Sequence, residues 1–167
     1  MNNQPGVRQD QRGEVLFRLA TVEDSSTLGP LNAQLIRDEG HRNSMTVPQF
    51  VERMADWLRG EYEAVVAEQC GAIVGYALFR QETDYLYLRQ IFVRSENRRR
   101  RVGRGLVDCL VKNACQAVPR IRIDVLVENE AGQRFWESIG FREYCLTMEL
   151  ELPPRAVGDQ SRFVSPP

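Results

Sequence analysis

The chain has 167 residues with 22 Lys+Arg against 23 Asp+Glu and a net charge of -1, which fits one domain burying on the order of 70% of its unfolded surface. It excludes a molecule built as a whole to coat nucleic acid. No apolar run approaches the ~20 residues that cross a bilayer, and the opening stretch MNNQPGVRQDQRG lacks the apolar segment of a secretory signal, so a soluble cytoplasmic protein is expected.

Residues 1–13 are polar and expected to be a loose N-terminal segment; residues 14–152 are expected to form the domain, and residues 153–167 a tail. Residues 15–20 read as a first strand, and Thr21 with Asp24 three residues on marks a helix start. Gly29-Pro30 is expected to interrupt or restart that helix, whose apolar stripe continues in Leu31, Leu35 and Ile36, with a loop over residues 38–46. Pro48 and Gln49 open a second helix that puts Phe50, Met54, Trp57 and Leu58 on one face, read as core, and Gly60 ends it. Residues 64–67 and 73–79 are strands joined by a turn at Gln69-Cys70-Gly71. A strand over residues 85–93 precedes a helix that begins near Gly103 and ends before Pro119. Residues 120–127 alternate, with Ile121, Ile123, Val125 and Val127 on one face. A helix over residues 130–139 closes at Gly140, and residues 144–152 alternate as a last strand.

Four cysteines without a CxxC pair and a single histidine, His41, offer no metal-ligand spacing, so no metal is expected. Cys109 and Cys115 share one predicted helix and read as reduced thiols.

The most informative stretch is residues 85–107, YLYLRQIFVRSENRRRRVGRGLV. Arg98, Arg99, Arg100, Arg101 and Arg104 crowd around Gly103 and Gly105 where a new helix has backbone N–H groups without intrahelical partners. A helix N-terminus carries partial positive charge and glycine admits a close ligand, so the turn suits a phosphate.

Strand, basic glycine turn and helix together resemble the coenzyme A pyrophosphate loop of the GNAT superfamily of N-acetyltransferases, whose pattern is Arg/Gln-x-x-Gly-x-Gly/Ala. Two registers are open. Arg100, Gly103 and Gly105 fit it literally; alternatively Arg98 opens the motif, Arg101 replaces the first glycine and Gly103 is the second. The latter is preferred because it places Val102 and Leu106 at the buried helix positions, worth roughly 1.5–3 kcal/mol each when fully buried. A second match lies downstream, where the family carries Asn-x-x-Ala-x-x-x-Tyr-Glu-x-x-Gly-Phe: Asn129, Glu137, Gly140 and Phe141 correspond, Gly132 stands in the alanine slot, and Trp136 replaces the tyrosine.

The resemblance implies an α/β GNAT fold: a mixed, mostly antiparallel sheet of about 6–7 strands, splayed between the fourth and fifth and flanked by about 4 helices. It implies acetyl-CoA as cosubstrate, lying along Ile91, Phe92 and Val93, with its pyrophosphate at Arg98, Arg99, Arg100, Arg101, Val102, Gly103, Arg104 and Gly105, and with Asn129, Phe135 and Trp136 beside it. The implied reaction is direct attack of a primary amine on the thioester. The family's usual thiolate proton donor is the missing tyrosine, since an indole N–H does not surrender its proton at neutral pH; Tyr144 or Tyr87 would substitute. The usual strand glutamate is also missing, with Arg89 and Gln90 in its region. Glu39 and His41, in the loop after the first helix, are the remaining candidate bases. Expected partners are acetyl-CoA, an amine acceptor and, at most, a second copy in a homodimer, with no nucleic acid or membrane. The runner-up is a non-catalytic acyl-CoA-binding module, and a third reading makes the arginine run a nucleic-acid contact.

Overall fold

The β2–β3 hairpin is the centre of the fold. In the computed structural model, which describes residues 13–40, 42–113 and 118–150, β2 (Glu63–Gln69) and β3 (Ala72–Gln81) join through Cys70 and Gly71, both at positive φ. That pair of left-handed residues is the type I′ geometry that matches strand twist. Five strands form one sheet in sequence order, with β1 (Leu16–Leu19) at one edge, then β2, β3, β4 (Leu86–Val93) and β5 (Ile121–Arg122). The first three pairings are antiparallel and β4 with β5 is parallel.

Helices cover both faces, which is why β2 and β3 read as near-continuous apolar runs. On one side α1 (Ser25–Asp38) and α2 (Val47–Arg59) bury Leu28, Leu31 and Met54 against Ala64, Val66, Tyr76 and Leu78. On the other, α3 (Val102–Asn113) buries Val102, Leu106 and Leu110, and α4 (Glu130–Ser138) buries Trp136, against Val65, Ala67, Ala77 and Leu88. Two predicted helix starts hold: Asp24 Oδ2 accepts from Thr21 N–H at 2.8 Å, and Gln49 Oε1 accepts from Thr46 N–H at 2.7 Å.

Other expectations are corrected. The helix is not broken at Gly29-Pro30, because α1 runs through both. Pro30 removes an N–H to Ser26, yet both residues are exposed, so the freed carbonyl can turn to water. Gly29 faces inward, where an added Cβ would lie 2.6 Å from Val51 Cα, so glycine permits the close crossing of α1 and α2. The described residues form five strands rather than 6–7. Of residues 120–127 only Ile121 and Arg122 pair, and Val127 is 68% exposed instead of sharing the buried face of Ile121, Ile123 and Val125. Residues 144–150 are exposed and carry no strand. Residues 1–12, the 151–152 end of the predicted strand, the 153–167 tail and Cys115 lie outside the described residues.

Candidate active site

Strand β4 changes faces midway, and that change builds the site. Leu78 of β3 pairs with Gln90 while the next residue, Phe79, pairs with Leu88, so Arg89 is the extra residue of a β-bulge. One inserted residue reverses the alternation. Leu86 and Leu88 therefore point into the α3/α4 core, whereas Phe92, of the same parity, points into the α1/α2 core; Ile91 and Val93 pack on the former side. The bulge follows directly on the last pair between β4 and β5, Tyr87 with Arg122. Beyond it the two chains part.

A cavity of about 360 Å³ opens in the gap, between Tyr87, Arg89, Gln90 and Ile91 on one wall and Ile123, Asp124 and Val125 on the other. Leu35, Glu39, Arg53 and Trp57 close it from the helices, and Asn129 and Trp136 from the far side. A second cavity of about 860 Å³ lies on the outer side of residues 121–127, lined by Tyr85, Trp136, Phe141 and Tyr144 among others.

The basic turn begins where β4 ends. Asn97 is buried and donates to Gln69 Oε1 at 2.9 Å, anchoring the short 3-10 turn Ser95–Asn97 to the hairpin. Arg99 and Arg101 both adopt positive φ, 63° and 64°. Arg101 thus holds the conformation that glycine adopts readily, at about 1–3 kcal/mol for a residue with a Cβ. It is the position assigned to the first glycine in the preferred register. The first α-helical bond of α3 runs from Gly105 N–H to Arg101 O at 2.9 Å, which leaves the amides of Val102, Gly103 and Arg104 ahead of it without intrahelical acceptors.

The arginines of the turn differ in what they touch. Arg98 donates through Nε to Val93 O at 2.9 Å and through Nη2 to Asp38 Oδ2 at 2.6 Å, so it braces the turn to the end of α1. Arg104 lies 3.9 Å from Asp108, one turn on in its own helix. Arg99, Arg100 and Arg101 are exposed. Gly103 allows α4 to approach, since a Cβ there would stand 3.2 Å from Phe135 Cζ. Phe135 then meets Trp136, edge-on, at 4.9 Å between ring centroids. The turn and the cavity are therefore joined through two aromatic rings. Gly105 faces the other way, toward Phe17.

The residues singled out in the sequence fall into three groups. Glu39, Ile91, Asn129 and Trp136 come together around the cavity, and Glu39 Oε1 accepts from Asn129 Nδ2 at 2.9 Å. Asn129 also caps α4, its Oδ1 accepting from Gly132 N–H at 2.9 Å. The Phe92 side chain is buried away from the cavity, leaving only its backbone on the β4 edge. Tyr144 is elsewhere: it is 76% exposed and lines the second cavity, under the guanidinium of Arg122. His41 lies outside the described residues. Trp136 is 6% exposed and wedged between Phe135 and Phe141, a packing role that also forms a wall.

Tyr87 is better placed than Tyr144. It lines the cavity and donates to Asp124 Oδ2 at 2.8 Å. Burial, with that carboxylate as acceptor, pushes its phenol up to about 12, so it stays protonated across the neutral range. Sequence reasoning missed Asp124, which alternation assigned to a solvated face, and Arg53. Trp57, read as core, is half-buried and lines the cavity, while Met54 is fully buried as expected. A hydrogen-bonded group supports this wall from beneath: Asn32, fully buried, donates to Gln90 Oε1 at 2.9 Å and accepts from Arg53 Nη2 at 2.6 Å.

Comparison with known proteins gives a consistent picture. The profile of the acetyltransferase (GNAT) family matches residues 33–141. No curated protein matches the chain. Among solved structures, the ribosomal-protein-alanine N-acetyltransferase of Brucella melitensis biovar Abortus 2308 is similar with TM-score 0.69 at 18% identity, over 84% of this chain and 100% of that one. An aminoglycoside N-acetyltransferase, AAC(6')-Iy, in complex with CoA superposes with TM-score 0.71 at 16% identity, covering 87% and 98% of the two chains. A possible acetyltransferase from Clostridium difficile 630 gives 0.71 at 18% identity, over 84% and 99%. At these identities the likeness to the solved structures is one of fold.

Proposed function

The chain belongs to the acetyltransferase (GNAT) family, and from that premise we propose that it is an acetyl-CoA-dependent N-acetyltransferase acting on a primary amine. One observation carries the reading: β4 and β5 pair only at Leu86 with Ile121 and Tyr87 with Arg122, then part around a cavity that the basic turn adjoins. A paired sheet would leave no slot for an extended thioester arm.

The chain's residues fit that cosubstrate. The open amides of Val102, Gly103 and Arg104, at the positive end of a helix dipole, would hold a diphosphate, with exposed Arg99, Arg100 and Arg101 adding screened attraction. The edge of β4 from Ile91 to Val93, which among the described residues has no strand partner on the β5 side, would pair with the amide-bearing arm. Bound acetyl-CoA supplies an activated acyl group on a good leaving group.

Transfer needs a proton taken from the acceptor ammonium and an oxyanion stabilised. Glu39 is our candidate base, being a carboxylate on the cavity wall held at a fixed angle by Asn129. Asp124, held by Tyr87, is a second carboxylate on the opposite wall and would attract the cationic amine. Backbone N–H groups beside the bulge, near Ile91, would face the oxyanion. The departing thiolate, with a parent pKa of about 8.5, is tolerable near neutrality, and the Tyr87 hydroxyl, which lines the cavity, would hydrogen-bond it only by giving up its bond to Asp124.

The test is incubation with acetyl-CoA and a broad amine panel while free thiol is followed. Acceptor-dependent thiol release is expected. Calorimetric binding of acetyl-CoA with no turnover on any amine would instead make the chain a binding module, in keeping with Trp136 at the tyrosine position.

A further inference from the structure

Two guanidiniums on the cavity wall lack the partner that their surroundings call for. Arg53, on α2, and Arg89, at the bulge, both lie over the ring of Trp57, at 4.6 and 4.8 Å from its centroid. Burial, together with the nearby charge of Arg89, holds Arg53 below its ordinary value. Like charges brought this close cost free energy unless something neutralises them, more for half-buried Arg53 than for exposed Arg89. Among the described residues, neither forms a salt bridge with a carboxylate.

Their hydrogen bonds leave them under-used as well. Arg53 gives Nη2 to Asn32 and Nη1 to the sulfur of Met45 at 3.2 Å, while its Nε is buried with no acceptor. Among the described residues Arg89 donates only to the Tyr62 hydroxyl, at 3.4 Å. Contact with Phe50, Trp57 and Tyr62 rings accounts for where the guanidiniums sit. It engages their faces, however, and leaves in-plane N–H edges that match a planar oxyanion in a two-bond fork. The same cavity carries Glu39 and Asp124, so its walls bear both signs.

Building on the N-acetyltransferase reading, we propose that the acceptor is a small amino carboxylate, whose carboxylate is bound by Arg53 and Arg89 while its amine meets Glu39 and Asp124. A cavity of about 360 Å³ suits a small molecule of this kind, and Trp57 and Leu35 give it an apolar side for the substrate's carbon skeleton. A polycationic acceptor would bring its further charges beside these two arginines.

The experiment compares α- and ω-amino acids with their carboxamides as acceptors, in the wild type, Arg89→Gln and Arg53→Gln, with folding checked by thermal melting. The acids are expected to exceed their amides in kcat/KM by about tenfold or more, as loss of a charge-assisted fork implies. In Arg89→Gln this preference falls to about twofold, with acetyl-CoA affinity unchanged. Arg89 is the cleaner variant, because Arg53 also supports Asn32. Amides equal to or better than acids in the wild type, or an acid preference untouched by Arg89→Gln, overturns the proposal while leaving acetyl transfer intact. Should no acceptor turn over, the acids are titrated calorimetrically into the coenzyme A-bound protein. Binding lost in Arg89→Gln upholds the carboxylate site and refutes transfer; no binding overturns the carboxylate site too.

Discussion

Two groups of arginines give this molecule its charge pattern, and they stand in opposite physical situations. Arg99, Arg100 and Arg101 form a conspicuous run, yet they are exposed, where water and salt reduce each charge to a fraction of a kcal/mol. Arg53 and Arg89 are far apart in sequence, yet they meet at one aromatic wall, Arg53 half-buried and Arg89 at its exposed rim, and among the described residues neither pairs with a carboxylate. A charge counts for most where solvent is displaced and a partner is missing. The run is a long-range attractor for a phosphorylated carrier; the scattered pair is a site for a specific small group.

The comparison can be broken most forcefully at the turn's backbone. Gly103→Glu puts bulk against Phe135 and a negative charge among the open amides, so acetyl-CoA binding by calorimetry should fall below detection, whereas Gly103→Ala should cost only a few-fold. Equal affinity in both variants would move the phosphate away from these amides. Next in size, Glu39→Gln should lower kcat about a hundredfold, the scale of a lost general base, with acetyl-CoA affinity unchanged. A kcat within twofold of the wild type would return Glu39 to a purely structural bond with Asn129. Arg99→Gln or Arg100→Gln alone should weaken acetyl-CoA by no more than about threefold, and that loss should shrink as salt is raised. A tenfold loss that persists at high salt would place those side chains in a sheltered contact instead.

The smallest effect lies outside both groups and calibrates them. Arg18 forms a two-bond fork with Asp24, at 2.8 and 2.9 Å, and holds that carboxyl below the usual range. A depressed carboxylate pKa means the contribution is full above the unfolded value of about 3.9 and disappears as pH falls through the folded one. Asp24→Asn should therefore lower Tm at pH 7 by a few degrees, with the gap closing as pH falls below the usual carboxylate range. A gap that stayed constant with pH would assign the loss to packing.

Much of the fold was legible because its signals are local. Pro48 and Gln49 mark the start of α2, Cys70-Gly71 turns the hairpin, and Val102, Leu106 and Leu110 mark the buried face of α3. The family motifs located the turn, where Arg99 and Arg101 both adopt left-handed φ. What escaped depends on distant contacts. Nothing in YLYLRQIFV announces that Arg89 is inserted as a bulge, since strict alternation would leave Leu88 and Phe92 on one face. Pro30 reads as a helix break until Val51 is seen against Gly29. Asp124 and Arg53 have no motif; Asp124 lines the cavity just beyond the point where β5 stops pairing, and Arg53 reaches it from α2 across Trp57. Tyr144, plausible as a nearby phenol in the sequence, ends up beside Arg122 at the second cavity.

The central claim is that the gap opened by the bulge holds a thioester arm whose diphosphate rests on the start of α3. A crystal structure with coenzyme A measures this most directly. The account predicts diphosphate oxygens within hydrogen-bond distance of the amides of Val102, Gly103 and Arg104, with the sulfur between Ile91 and Val125. Coenzyme A bound at the second cavity, or against the turn with its arm directed away from β4, would contradict it.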